Sequence, residues 1–158
     1  MTNVILALKL VHILGGSVLF GTGLGIAFFM WMANRSGSPA DIAATARTVV
    51  IADTVFTAVA VIVQPISGAL LAWLIGHSLL ESWIVAALGL YVVVGLCWLP
   101  VVVIQIKLRD LARAAAQKSA TLPDEYRRLY AIWFALGWPA FIGVLLIFGL
   151  MIWKPALW

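Results

Sequence analysis

Four apolar runs, approximately residues 4–32, 48–75, 83–106 and 129–153, follow one another along this chain with only isolated polar positions inside them. A membrane-crossing helix needs about 20 mostly apolar residues, and each run supplies them. The stretches between are short, which leaves no room for a soluble appendage. The pattern predicts an all-α, polytopic membrane protein, a four-transmembrane-helix bundle forming a single domain over residues 1–158 and bounded by the lipid bilayer. Within the runs the polar positions recur at helical spacing. Asp53, Thr57, Gln64 and Ser67 make one stripe on the second run. Tyr91, Gly95, Trp98 and Gln105 make another on the third, and Tyr126, Tyr130, Trp133 and Gly137 a third stripe on the last. Such stripes imply a shared polar or aromatic interior.

The loops carry their own signals. "SPAD" offers a serine cap with proline in the first helical turn, and "KLRDLARAAAQ" extends the third helix beyond its apolar part. "ATLPDEY" then breaks it, with Thr121 or Pro123 starting the last helix and Asp124 and Glu125 in its first turn, where the helix dipole favours anions. Pro65, Pro100 and Pro139 lie inside spans, each removing a backbone hydrogen bond, and the pair Gln64-Pro65 marks an expected break.

Composition agrees with the pattern: the chain is 65% hydrophobic and 10% charged, with a mean hydropathy of +1.12. Its net charge of +4 does not point to nucleic acid. Eight of the ten lysines and arginines fall in or beside the first and third loops. The positive-inside rule places those loops in the cytoplasm, both termini on the periplasmic side, and the protein in a bacterial inner membrane. The apolar N-terminal run lacks a basic lead-in and reads as a retained span. The single cysteine, Cys97, excludes an intramolecular disulfide.

Candidate chemistry concentrates in "LKLVHILGGSVLFGTGLGIAFFMW", residues 8–31. An ionisable group at the centre of a span costs about 2.5–3.5 kcal/mol on insertion scales and generally faces the bundle interior with a partner. Lys9 lies close enough to the end of its span to snorkel. Asp53 has Arg47 as a nearby loop partner. His12 lies deeper, and its residue type fits either a hydrogen bond to another helix or a metal ligand. Positions 9, 12, 16, 23, 27 and 30 share one face, and Gly15 and Gly16 beside His12 would clear room for a flat ligand. Ser17, Gly21 and Gly25 form a small-xxx-small row suited to helix packing or to a homo-oligomer. By depth, His12 is level with Gln64, Ser67 and Tyr91. His77, in the middle loop, is poorly placed as a second axial ligand. The chain has no CxxCH, HExxH, phosphate-binding loop or dinucleotide fingerprint.

The segments "LKLVHILGGSVLFGTGLGIAFFMW", "ADTVFTAVAVIVQPISG", "LYVVVGLCWLPVVVIQIKLRDLA", "LPDEYRRLYAIWFALGWPAF" and "LMIWKP" together resemble, nearly end to end, a bacterial family of small predicted integral membrane proteins catalogued as domain of unknown function 2269. That resemblance implies the fold and no activity. "LKLVHILGG" and the closing "KP" also look like the small membrane protoporphyrinogen oxidases of haem synthesis, which implies a b-type haem on His12. The chain departs from those enzymes in having "LFGTGLGIAFF" where they carry a tryptophan-rich segment and an arginine. The expectation is therefore a haem b or related porphyrin held by His12, with Lys9, Gly16, Gln64, Ser67 and Tyr91 around it, serving electron transfer or porphyrin oxidation with a membrane redox partner or quinone. Two alternatives stand beside it. One is a small transporter or channel-like protein with a polar path through Asp53, Gln64 and Gln105, and the other a non-catalytic assembly partner using the Ser17–Gly21–Gly25 row.

Overall fold

The computed structural model describes residues 2–158. Its helices are α1 (Thr2–Ser36), α2 (Pro39–Ala52), a π-helical turn (Asp53–Thr57), α3 (Ala58–Ile75), α4 (Ser82–Gln117) and α5 (Asp124–Trp153). Because α2, the π turn and α3 run on as one rod, four rods result, each long and apolar enough to cross a membrane. All described secondary structure is helical.

Local chemistry sets the ends of these rods. Gly37, at φ +69°, turns the chain out of α1. Ser38 then caps α2 by accepting from the Asp41 N–H at 3.3 Å, with Pro39 in the first turn. Gly76, at φ +86°, closes α3, and His77 N–H returns to the Ala72 carbonyl at 2.9 Å. Pro123 precedes α5, whose first turn holds Asp124 and Glu125. At about 1.5 Å per residue, a helix of 36 residues such as α4 outruns an apolar core about 30 Å thick. Its basic segment, Lys107 to Arg113, therefore emerges at the end where the other basic loop lies. The termini and the 76–81 loop lie at the opposite end.

Lipid offers no hydrophobic drive for helices to associate, so packing and internal hydrogen bonds must hold them together. The dense packing is at the basic end. There Met30, Ile42, Leu108 and Tyr126 are fully enclosed, with Ile26, Ala46, Val49, Ile104, Ala112 and Trp133 around them. A smaller cluster of Ala72, Trp83 and Ile84, flanked by Leu150 and Met151, closes the other end. There Ser82 Oγ accepts from the Leu157 N–H at 2.9 Å and donates to the Pro155 carbonyl at 3.4 Å, which ties the tail to the start of α4. Elsewhere large apolar side chains such as Ile62, Leu96, Trp73 and Ile152 point outward, as a lipid-facing surface requires.

The second rod changes neighbours along its length. α2 packs against both α1 and α4, whereas α3 packs chiefly on α1. The change falls at the π turn, where Ala58 N–H reaches back five residues to the Asp53 carbonyl. The expected break at Gln64-Pro65 is thus not where the rod becomes irregular, since α3 continues through Pro65. The reason lies on α4. Pro65 has no N–H to give the Val61 carbonyl, and the Tyr91 hydroxyl donates to that carbonyl instead.

Tyr91→Phe should therefore destabilise the protein by about 1 kcal/mol, the net cost of a lost hydrogen bond that leaves a carbonyl unpaired. In a Pro65→Ala background, where the substituted residue supplies its own backbone N–H, that cost should shrink toward zero. Thermal or steric-trap unfolding of the four variants in detergent checks the cycle, and equal costs in both backgrounds would refute the assignment.

Candidate functional site

α1 and α3 meet through the residues singled out beside His12. Its Nδ1 shares a hydrogen bond with Ser67 Oγ at 2.9 Å, and the Ser67 hydroxyl reaches the Gln64 carbonyl at 3.1 Å. When the serine proton is on that carbonyl, the Ser67 oxygen is the acceptor and His12 carries its proton on Nδ1. In that arrangement the lone pair is on Nε2. Gly68 lets the imidazole lie against α3: a Cβ there would sit 3.0 Å from His12 Cε1. Ser67 is buried and His12 half-buried.

The glycines of α1 serve different neighbours from those expected. Gln64 Oε1 occupies the space over Gly15, while Gln64 Nε2 and the Phe148 ring each lie 3.2 Å from where a Gly16 Cβ would stand. The clearance beside His12 thus accommodates a glutamine and a phenylalanine of this same chain. Gly21 and Gly23 meet nothing within 4 Å, and Gly25 meets only Phe29 of its own helix. Gly21 and Gly25 thus meet no other helix of this chain, and Gly23 is exposed rather than buried with Gly16 and Met30. The buried residues of α1 are Gly16, Ile26, Met30 and Ala33. Ser17 faces outward and satisfies its hydroxyl on the Ile13 carbonyl at 2.9 Å. Lys9 is exposed near the N-terminal end. Tyr91 is committed to Val61, as described above.

A second polar centre lies at the π turn. Asp53 is only 5% exposed. Its carboxylate accepts from Trp98 Nε1–H at 3.2 Å and from Gln105 Nε2–H at 3.5 Å. Arg47 does not pair with it. With Arg109 and Arg113, Arg47 instead lines a cavity of about 500 Å³ beside Ala43 and Ala44. The single stripe expected on the second rod therefore divides, with Asp53 bonded to α4 while Gln64 and Ser67 face α1. Of the path Asp53–Gln64–Gln105, the fold joins the first and last and puts Gln64 on the histidine side.

The aromatic stripe of α5 stays together. Tyr126 and Tyr130 stack at 6.3 Å, Tyr130 and Trp133 at 5.9 Å, and the Tyr126 hydroxyl donates to Asn34 Oδ1 at 2.9 Å. Gly137 is exposed, with nothing near it. Among the described residues no three or more His, Cys, Asp or Glu side chains gather as a metal-ligand set, so His12 offers at most a single axial bond.

His77 is engaged in the outer loop. Its Nδ1–H donates to the Glu81 carboxylate at 3.0 Å, which also accepts from Trp83 Nε1–H at 2.8 Å and Ser78 N–H at 3.0 Å. The His77 bond, followed by the Trp83 bond, holds the Glu81 carboxyl below the usual carboxylate range. Nothing in the sequence pattern flagged Glu81, although its spacing of four from His77 and two from Trp83 was there to be read.

The profile of a family described as "Predicted integral membrane protein (DUF2269)" matches residues 6–155. No curated protein and no solved structure shows significant similarity to the chain.

Acid should loosen the Glu81 hub. A carboxyl whose folded pKa is depressed adds stability that is fully present above its unfolded value of about 4.3 and lost as pH falls through the lower folded one. The Trp83 indole N–H resonance should therefore move on acidification through and below that value, and stay put in Glu81→Gln. A resonance that shifts equally in both proteins would refute the assignment.

Proposed function

We propose that this chain, which belongs to the DUF2269 family of predicted integral membrane proteins, binds a b-type haem or related porphyrin through His12. In this reading the basic end faces the cytoplasm of a bacterium and the His12 level lies in the outer half of its inner membrane.

The observation that carries the reading is the hydrogen bond between His12 Nδ1 and Ser67 Oγ. Metal-ligating histidines almost always donate their second ring nitrogen to a neighbouring oxygen, which orients the ring and raises its basicity. The chain His12 Nδ1, Ser67 Oγ, Gln64 carbonyl does this within the bundle when the serine proton is on that carbonyl, and it then leaves Nε2 as the lone-pair nitrogen. The residues fit an axial ligand on that count. They do not offer the smooth glycine wall, since Gln64 and Phe148 cover Gly15 and Gly16, so a macrocycle would have to bind on the Nε2 side of the ring. Lys9, one helical turn from His12 and exposed, suits an anionic propionate. A bound haem would supply one-electron chemistry. The protein's part is to hold the imidazole, keep its proton on Nδ1 and exclude water from the apolar surroundings.

The purified, haem-supplemented protein should show a Soret band that His12→Ala abolishes. Ser67→Ala should weaken haem affinity about 10–100-fold, as loss of such an orienting partner does. A protein without a Soret band, or a band unchanged in His12→Ala, overturns the reading.

A further inference from the structure

The four rods contain one acidic residue within their apolar stretches, and it is Asp53. Both its oxygens accept hydrogen bonds, from Trp98 and from Gln105. No basic side chain answers it. On its own rod, Arg47 lines the cavity shared with Arg109 and Arg113, and His77 belongs to the far loop. α1 has no ionisable residue between His12 and Arg35. From α4 the titratable groups in the apolar stretch are Tyr91, bonded to Val61, and Cys97. The first bases beyond are Lys107, which is exposed, and Arg109, which is paired with Asp110 at 2.8 Å. α5 contributes Tyr126 and Tyr130, while its Arg127 and Arg128 are exposed and Arg127 lies 3.7 Å from Asp124.

Two further oxygens on the same residues remain open. Thr57, one helical turn on from Asp53, and Gln105, its own donor, are 6% and 3% exposed. Thr57 Oγ1 and Gln105 Oε1 are nevertheless buried with no hydrogen-bond partner. A buried carboxyl without a counter-ion, with a hydroxyl one turn on and the amide oxygen of its own donor not otherwise engaged, leaves oxygen capacity for a positive charge. π turns also recur at functional positions in helices, and buried intramembrane carboxylates commonly mark ion or proton sites.

We infer that Asp53, Thr57 and Gln105 form a site for a small hard monovalent cation, a proton or a sodium ion, within the basic half of the bundle. The site is separate from His12 and does not depend on haem.

Infrared difference spectra of the full chain in nanodiscs test it in two arms. In one, choline chloride is exchanged for sodium chloride at constant pH. In the other, pH is stepped in choline chloride alone. The wild type should show a carboxyl-band change in one arm, a sodium-induced shift of the carboxylate bands or the appearance of a protonated carboxyl band, and Asp53→Asn should lack it. Thr57→Val, which keeps the shape of the side chain, should weaken sodium binding about tenfold, or move the proton midpoint by about one pH unit. It provides the test should Asp53→Asn fail to fold. A response in neither arm, one that persists in Asp53→Asn, or one unaltered by Thr57→Val overturns the inference. The Soret reading of His12 is a separate measurement, so either proposal can fail alone.

Discussion

In hydrocarbon there is no water to receive a stray hydrogen bond, so each polar group on the spans has to be answered from within the chain. Most of the interior of this bundle follows from that constraint. The hydroxyls of Ser17, Thr48 and Thr54 turn back to carbonyls four residues earlier on their own helices. Tyr91 crosses from α4 to satisfy the carbonyl that Pro65 leaves bare. Asn34 does two jobs, giving its amide to the Met30 carbonyl at 2.8 Å and accepting the Tyr126 hydroxyl. Among the described residues, the buried side-chain atoms left without a partner, on Thr57, Gln64, Gln105, Tyr130 and Trp133, stand out against that background. Two of them belong to the Asp53 centre.

The long-range plan of the fold is written in the sequence because length and hydropathy decide it. Four apolar runs became four rods, and two of the ends fell where the sequence signalled them: Ser38 before Pro39 and Pro123 before Asp124. The level of His12 against Ser67 was also legible, since depth along antiparallel helices is a matter of counting. What could not be counted was rotation. A stripe at positions 53, 57, 64 and 67 assumes an unbroken α-helix, and the wide turn at Asp53–Thr57 breaks that assumption without a proline or glycine to announce it.

The glycines teach a similar lesson. A small residue in a span says that something approaches closely, or that nothing does, and periodicity does not distinguish the two. Gly16 and Gly68 admit Gln64, Phe148 and the imidazole of His12, whereas Gly21 and Gly23 open onto the outer surface. Their roles depend on which helix lies opposite, and that is decided by neighbours far away in sequence.

The wide turn has a consequence for how this architecture can vary. Its hydrogen bonds span one residue more than those of an α-helix, and an α-helix advances about 100° for each residue. Deleting any one position between Asp53 and Thr57 would let the rod close into regular α-helix and throw its two halves out of phase by roughly that angle. Ser67 could then meet His12, or Asp53 could meet Trp98, but one register would be lost to keep the other. Chains that retain both polar centres should therefore tolerate substitutions across this stretch far better than changes in its length.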